Sequence, residues 1–418
     1  MEKRFGTEER LLLELLKISL GEAVETDMGK RVKAAVEIAG EKENPNMTKL
    51  FDLADSHGVT ALIYNVFLEA GVPLNPELES KVRFKSNATV LQNYHLLFLG
   101  KTIVEKLKEN KIEVLVLKGC STAAFYPVPE LRKTGDLDLL LLNEDDLKKT
   151  SQIFDGLGIR QKEEQSANHH ISYRTKDGIE IELHIMLAEP FASEKINRYL
   201  KQVAGQCRDH KTEIESMGVN VCCLGDGYHG YYLLLHMLQH FLRAGFGVKL
   251  FCDWTAFWNK EKSSEEEKIF LQLVHESGLY GFAERVTAAC IAYLGLPPES
   301  AAFLFGRALT VTEAEEMSRQ MMLDVLEAEE FGHSGAERMV VLKDRSLAGY
   351  VREFHHQMQL NFPKAGRIFL LWPILWIRTL LRFLINNKKI RKVSMWTVFQ
   401  KAGDRSRLIK DLKLFEDE

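Results

Sequence analysis

Two aspartates separated by a single leucine, Asp136 and Asp138 in the run Gly135-Asp-Leu-Asp-Leu-Leu-Leu, are the residues whose types and spacing point most directly to chemistry. In an extended strand side chains alternate between faces, so both carboxylates share one face while Leu137 and Leu139 occupy the other. Carboxylates held this close repel each other. The pair becomes favourable when a hard divalent cation, Mg²⁺ or Mn²⁺, sits between them and the phosphates of a nucleotide. A third acid is expected from a neighbouring strand, and Gly178 to Met186 (GIEIELHIM) provides one: Ile179, Ile181 and Leu183 fall on one face, Glu180, Glu182 and His184 on the other. Glu182 is the choice for that role and Glu180 the reserve. Three such acids would clamp the attacking and leaving oxygens of an in-line displacement through bound metal, and the third could also take the proton of an acceptor hydroxyl. A bare Asp-x-Asp is common in surface turns; here the strand context and the second acidic strand set it apart.

Ahead of the acids, Ile112 to Leu117 (IEVLVL) is a short β-branched run that ends at Lys118-Gly119. It reads as a buried strand opening into a tight turn and then a helix near Ser121. Gly119 would let the backbone approach phosphate, the start of the helix at Ser121 would offer N–H donors, and Lys118 and Arg132 would add positive charge as pyrophosphate leaves. A salt bridge from Arg132 to one of the aspartates is the structural alternative for that residue. Further on, His236 and His240 share a helix face with Arg243 nearby and Lys249 and Asp253 beyond. Their HMLQH spacing lacks the glutamate of a zinc-protease helix and no third ligand is evident, so they are expected to pack in the core or to line the cleft opposite the carboxylates. His169, His170 and His184 flank or follow the acidic strand and are assigned no catalytic task.

The elements that must position these residues fall into three parts. Residues 1–110 read as an all-helical region, with apolar residues at three- and four-residue steps through Leu11, Leu12, Leu15 and Leu16, through Leu50, Leu53, Leu62 and Val66, and through Leu91, Tyr94, Phe98 and Ile103. Turn chemistry at Gly40, Asn44-Pro45 and Gly71-Val72-Pro73 divides it. Residues 111–225 read as a small mixed-sheet core: strand, helix, strand, helix, then a hairpin about Lys176-Asp177-Gly178. Residues 226–418 read as helical again.

Composition narrows the function further. The 418 residues are 45% hydrophobic and carry a net charge of −4, so there is core enough for more than one domain and no global basic field for unspecific nucleic-acid binding. The six cysteines form no CxxC pair, which suits reduced thiols and a cytoplasmic setting. The N-terminus lacks the continuous apolar stretch of a secretion signal. Ile368 to Ile385 is strongly apolar, but Pro373, Arg378 and Arg382 lie within it, so it reads as a packed helix or a peripheral membrane contact rather than a span. The basic tail from Lys388 to Lys413 reads as a solvated face or a guide for an anionic partner.

Taken together, LKG, LRKTGDLDLLL, IELH and HMLQHFLRAGFGVKLFCDW resemble the bacterial family described as uncharacterised nucleotidyltransferases, a distant branch of the polymerase-β superfamily, over about residues 10 to 385. The resemblance implies an α+β fold with a small polymerase-β-like core between large helical regions. It also implies a metal-dependent enzyme using Asp136, Asp138 and Glu182, with Mg²⁺ or Mn²⁺ as cofactor and an NTP, taken as ATP, as substrate. The reaction expected is transfer of an NMP group to a hydroxyl of a small molecule, sugar or protein with release of pyrophosphate. The alternatives are a silent nucleotide sensor or scaffold and, third, a template-free RNA nucleotidyltransferase. The superfamily's Gly-Ser at the start of the first core helix is replaced here by Lys118-Gly119-Cys120-Ser121, and the interval to Asp136 is longer than usual.

Overall fold

The computed structural model describes residues 5–21, 28–40, 44–167, 170–191, 194–243, 245–328, 355, 358, 362 and 368–386. The leucines at helical spacing near the start form the buried stripe of α1 (Thr7–Leu20). It is followed by α2 (Met28–Ala39), α3 (Met47–Ser56), α4 (Thr60–Glu69) and the long α5 (Pro76–Glu109). The breaks coincide with turn residues, and the starts are capped: Asn46 accepts from the Lys49 N–H, and Asn75 accepts from the N–H groups of Glu77 and Leu78 with Pro76 at the first helical position. The helix expected here forms, but its apolar stripe divides on α5. Leu91 and Phe98 are 71% and 54% exposed, whereas Leu96, Leu97, Ile103 and Leu107 are buried. The helix meets the sheet on a face rotated from its most regular apolar stripe, and at Gly100 the approach is so close that a Cβ would lie 3.2 Å from a Leu137 methyl.

Among the described residues the sheet has seven strands, numbered along the chain and arranged in the order β3-β4-β5-β2-β1-β7-β6. In chain order the core runs β1 (Val114–Val116), the single-turn α6 (Cys120–Ala123), β2 (Asp136–Leu141), α7 (Leu147–Gly156), β3 (Arg160–Ala167), β4 (His170–Arg174), β5 (Glu180–His184), α8 (Glu194–Gln206), β6 (Lys211–Ser216) and β7 (Val219–Leu224). β2 pairs with β5, and β1 with β7, in parallel; the other pairings are antiparallel, which makes the sheet mixed. The β4–β5 hairpin forms where the sequence places it. Three features go beyond the sequence reading: β3, a polar edge strand whose RQKEEQSA sequence has no apolar alternation, the helix α8, and the β6–β7 hairpin, which turns on Met217 (φ 48°) and Gly218 (φ 79°). Leu137, Leu139, Leu141, Ile181 and Leu183 face α5 and α7 in one core, so Asp136, Asp138, Glu180 and Glu182 are turned to the opposite face.

That opposite face is closed by α9 (Asp226–Arg243), followed by α10 (Val248–Trp258), α11 (Ser264–Glu276), α12 (Tyr280–Leu294), the short α13 (Ala302–Phe305), α14 (Val311–Leu326) and α15 (Trp372–Asn386). The N-terminal helices and α9 to α14 bury their apolar faces in one continuous core, to which α1 and α4 contribute alongside α10 and α12. On α15, Ile374 and Ile377 are exposed, and no helix among the described residues is long and apolar enough to cross a membrane. The basic tail from Lys388 onward lies outside the described residues.

Candidate metal centre

The parallel pairing of β2 with β5 sets Asp136 level with Glu180 and Asp138 level with Glu182. One ligand atom from each of Asp136, Asp138 and Glu182 lies within 4.8 Å of the others. Glu180 shares the face but is committed elsewhere, to Lys162 at 2.7 Å and to Arg174. The strand ladder therefore brings Glu182, and not Glu180, to the aspartate pair. Asp138 is fully buried, and its Oδ2 accepts no hydrogen bond.

Two basic side chains enter this group. His184 Nε2 is 3.1 Å from Asp138 Oδ1 and 3.3 Å from Glu182 Oε2, and Lys118 Nζ is 3.3 Å from Asp138 Oδ2 and 3.6 Å from Asp136 Oδ2. His170 Nε2 stands 3.7 Å from Glu182 Oε1, and its ring centre is 5.2 Å from that of His184. His169 lies outside the described residues. Burial works against charge on His184, but its hydrogen bonds to Asp138 and Glu182 prevail and raise its pKa to about 9. Lys118 is likewise opposed by burial and held firmly protonated by Asp138 and Asp136. For Glu182, burial favours the neutral acid, while the His184 hydrogen bond and the charge of His170 outweigh it and lower the pKa, so the carboxylate stays ionised.

The segment between Lys118 and Asp136 is fixed by a second network. Arg132 is buried and donates through Nε to Asp253 Oδ1 and through Nη2 to Asp253 Oδ2, each at 2.7 Å, and through Nη1 to Thr134 Oγ1 at 3.1 Å. The Tyr126 hydroxyl donates to the same Asp253 Oδ1 at 2.7 Å, and Asn93 on α5 donates to the carbonyls of Glu130 and Arg132 at 2.6 and 2.8 Å. Arg132 thus forms a salt bridge, as its structural alternative held, but to an aspartate of α10 and not to the β2 pair. Gly119 has φ +72°, and a Cβ there would lie 3.0 Å from the Thr134 methyl, so the turn after β1 requires glycine. α6 is only four residues long, and Ser121 is fully buried, which turns its hydroxyl away from solvent.

Across the cleft, α9 sets Tyr232, His236 and His240 at four-residue steps, with ring centres 6.3 and 4.6 Å apart. Burial and then the charge of Lys118 hold both histidines neutral, His236 well below its ordinary pKa and His240 at about 4, with Lys249 acting in the same sense. The side chain of Arg243, the last residue of α9, lies outside the described residues. A cavity of about 580 Å³ occupies the other face of the sheet, between α5 and the β6–β7 hairpin, and is not lined by Asp136, Asp138 or Glu182.

His229, deeper on α9, is a third neutral histidine. Burial, helped by Lys262, lowers its pKa from 6.5 to about 3. The unfolded chain binds a proton below pH 6.5 that the fold refuses, so the stability associated with neutral His229 is complete above pH 6.5 and is lost as the pH falls toward 3, at up to about 1.4 kcal/mol per pH unit. Urea unfolding at pH 7, 6 and 5 is expected to show stability falling over this window, and less steeply in His229→Leu. A flat profile in the wild type would mean that these histidines are charged inside.

The donor set fits a hard divalent cation. Carboxylate oxygens from three residues converge, and a buried aspartate oxygen without a hydrogen bond is among them.

The family described as "Uncharacterised nucleotidyltransferase" matches residues 43–295. Among solved structures, the chain is similar to one described as an antigenic nucleotidyltransferase-like protein from Paracoccidioides brasiliensis, at 16% identity, with 48% of this chain and 92% of that chain covered and a TM-score of 0.28. No curated protein matches.

Proposed function

The chain belongs to this family of uncharacterised nucleotidyltransferases, and from that premise we propose that it transfers an NMP group from an NTP, taken as ATP, to a hydroxyl acceptor in a Mg²⁺- or Mn²⁺-dependent reaction. The observation that carries this reading is the convergence of Asp136, Asp138 and Glu182 from two parallel-paired strands on one sheet face. These three would hold the metal, which when bound supplies charge neutralisation at the phosphates. The acceptor oxygen forms a bond to the α-phosphorus, the bond from that phosphorus to the bridging oxygen breaks, and pyrophosphate departs.

The residues of this chain would then divide the work. Glu182, kept ionised by its partners, would receive the acceptor's proton. Lys118, at the turn that Gly119 makes possible, would be the cation that meets the triphosphate, whereas Arg132 is occupied by Asp253 and positions the Lys118–Asp136 segment. His236, His240 and Lys249 border the side where base or acceptor would sit. In this reading residues 111–225 form the catalytic core, 1–110 and 226–418 the helical regions around it. All six cysteines are free, which suits the reducing conditions of a cytoplasm.

Incubation of the purified protein with Mg²⁺ or Mn²⁺ and each labelled NTP tests the proposal. Pyrophosphate release, or covalent labelling of the protein or of an added hydroxyl acceptor, is the expected result. Saturable nucleotide binding without release under every metal would replace it with the sensor reading.

A further inference from the structure

The acidic trio carries its own counter-charges. On the Oδ1 side of Asp138, His184 bridges to Glu182. On the Oδ2 side, the Lys118 ammonium lies 3.3 Å from Asp138 and 3.6 Å from Asp136. A cation ligated by both aspartates through these Oδ2 atoms would have to occupy the space that the ammonium now borders. We propose that Lys118 is a resident counter-cation that competes with the divalent metal for Asp136 and Asp138, and that it leaves the pair for the triphosphate when metal and nucleotide bind. The proposal rests on reading the trio as a metal centre.

Three features support an exchange of cations over a fixed salt bridge. The Asp138 carboxylate is fully buried with no hydrogen bond at Oδ2, so without a nearby cation the pair would be strongly destabilised. Lysine suits a displaceable role, being a compact point charge on a flexible stem, in contrast to an arginine fork that locks onto a carboxylate through two bonds. Its backbone, by contrast, is anchored. The Leu117 N–H donates to the Asp138 carbonyl at 3.0 Å, and Gly119 is packed against Thr134. The ammonium can therefore swing about a fixed root.

Mn²⁺ titration by calorimetry, without nucleotide, tests the competition. If the metal-ready arrangement with the ammonium withdrawn is a tenth of the population or less, Lys118→Met tightens Mn²⁺ binding about ten-fold or more. Lys118→Arg, which keeps the charge and can lock onto a carboxylate through two bonds, does not tighten Mn²⁺ binding. With Mn²⁺ saturating, Lys118→Met is expected to bind a non-hydrolysable ATP analogue more weakly than the wild type. This opposition of signs is one that a merely structural lysine would not produce. Unchanged or weaker Mn²⁺ binding in Lys118→Met, or undiminished analogue binding, overturns the proposal. Asp136→Asn separates this from the reading beneath it: Mn²⁺ binding indifferent to that change removes the metal centre itself, whereas binding that depends on Asp136 but is not tightened in Lys118→Met removes only the role of Lys118. Should Lys118→Met fail to fold without metal, refolding in Mn²⁺ gives the same comparison, with recovery supporting the competition and failure in saturating Mn²⁺ overturning it.

Discussion

Asp136→Asn is expected to lower the proposed rate of pyrophosphate release by about a thousand-fold while leaving the fold intact. The magnitude follows from the several kcal/mol of charge stabilisation that a well-held metal ion supplies; about 4 kcal/mol corresponds to three factors of ten. Asp136 is the cleaner of the two aspartates to change. Its side chain is 33% exposed, with Lys118 at 3.6 Å, so the amide is accommodated at little structural cost. Asp138 is fully buried between Lys118 and His184, so Asp138→Asn is expected to lose activity and stability together. Pyrophosphate release and thermal melting, measured in parallel for both variants, distinguish the two outcomes. Activity within ten-fold of the wild type in Asp136→Asn would place the chemistry elsewhere.

Asp253→Ala is expected to destabilise the protein by about 3–5 kcal/mol, the usual cost of stranding a buried charge by removing its partner. The buried Arg132 guanidinium would keep only Thr134, and the Tyr126 hydroxyl would lose its acceptor. Against a total stability of about 5–15 kcal/mol this is a large fraction. The intact pair need not contribute that much, because the loss measures an unpaired charge and not the worth of the bridge. Asp253→Asn, which keeps an acceptor oxygen, should fall between the two. Urea unfolding gives the number, and a loss under about 1 kcal/mol would mean that water or a shifted side chain replaces the carboxylate. Since Arg132 lies in the segment leading into β2, folded variants are also expected to bind nucleotide less well.

The parts of this protein readable from its amino acids are those governed by neighbours two to four residues away. The alternation of Asp136-Leu137-Asp138-Leu139 requires that the carboxylates share a face, and Glu180, Glu182 and His184 follow the same rule. The breaks at Gly40, Asn44-Pro45 and Gly71-Val72-Pro73 were equally legible, since turn chemistry acts within a few residues. The polar edge strand β3 was not, because an edge strand needs no apolar pattern when its partner's backbone supplies the pairing.

Tertiary structure decided everything that joins distant residues. Periodicity put Glu180 and Glu182 on one face, with Glu182 the choice and Glu180 the reserve; the β2–β5 register and the ion pairs of Glu180 with Lys162 and Arg174 set them apart. Arg132 and Asp253 lie 121 positions apart, and no local rule foretells which acid a buried arginine will meet. The regular stripe of Leu91 and Phe98 pointed to one face of α5, yet the sheet took another, because total burial across the interface, not the neatness of one helix's pattern, selects the packing. Side-chain types and spacing therefore determined which chemistry was available, and packing determined which copies of those side chains converge.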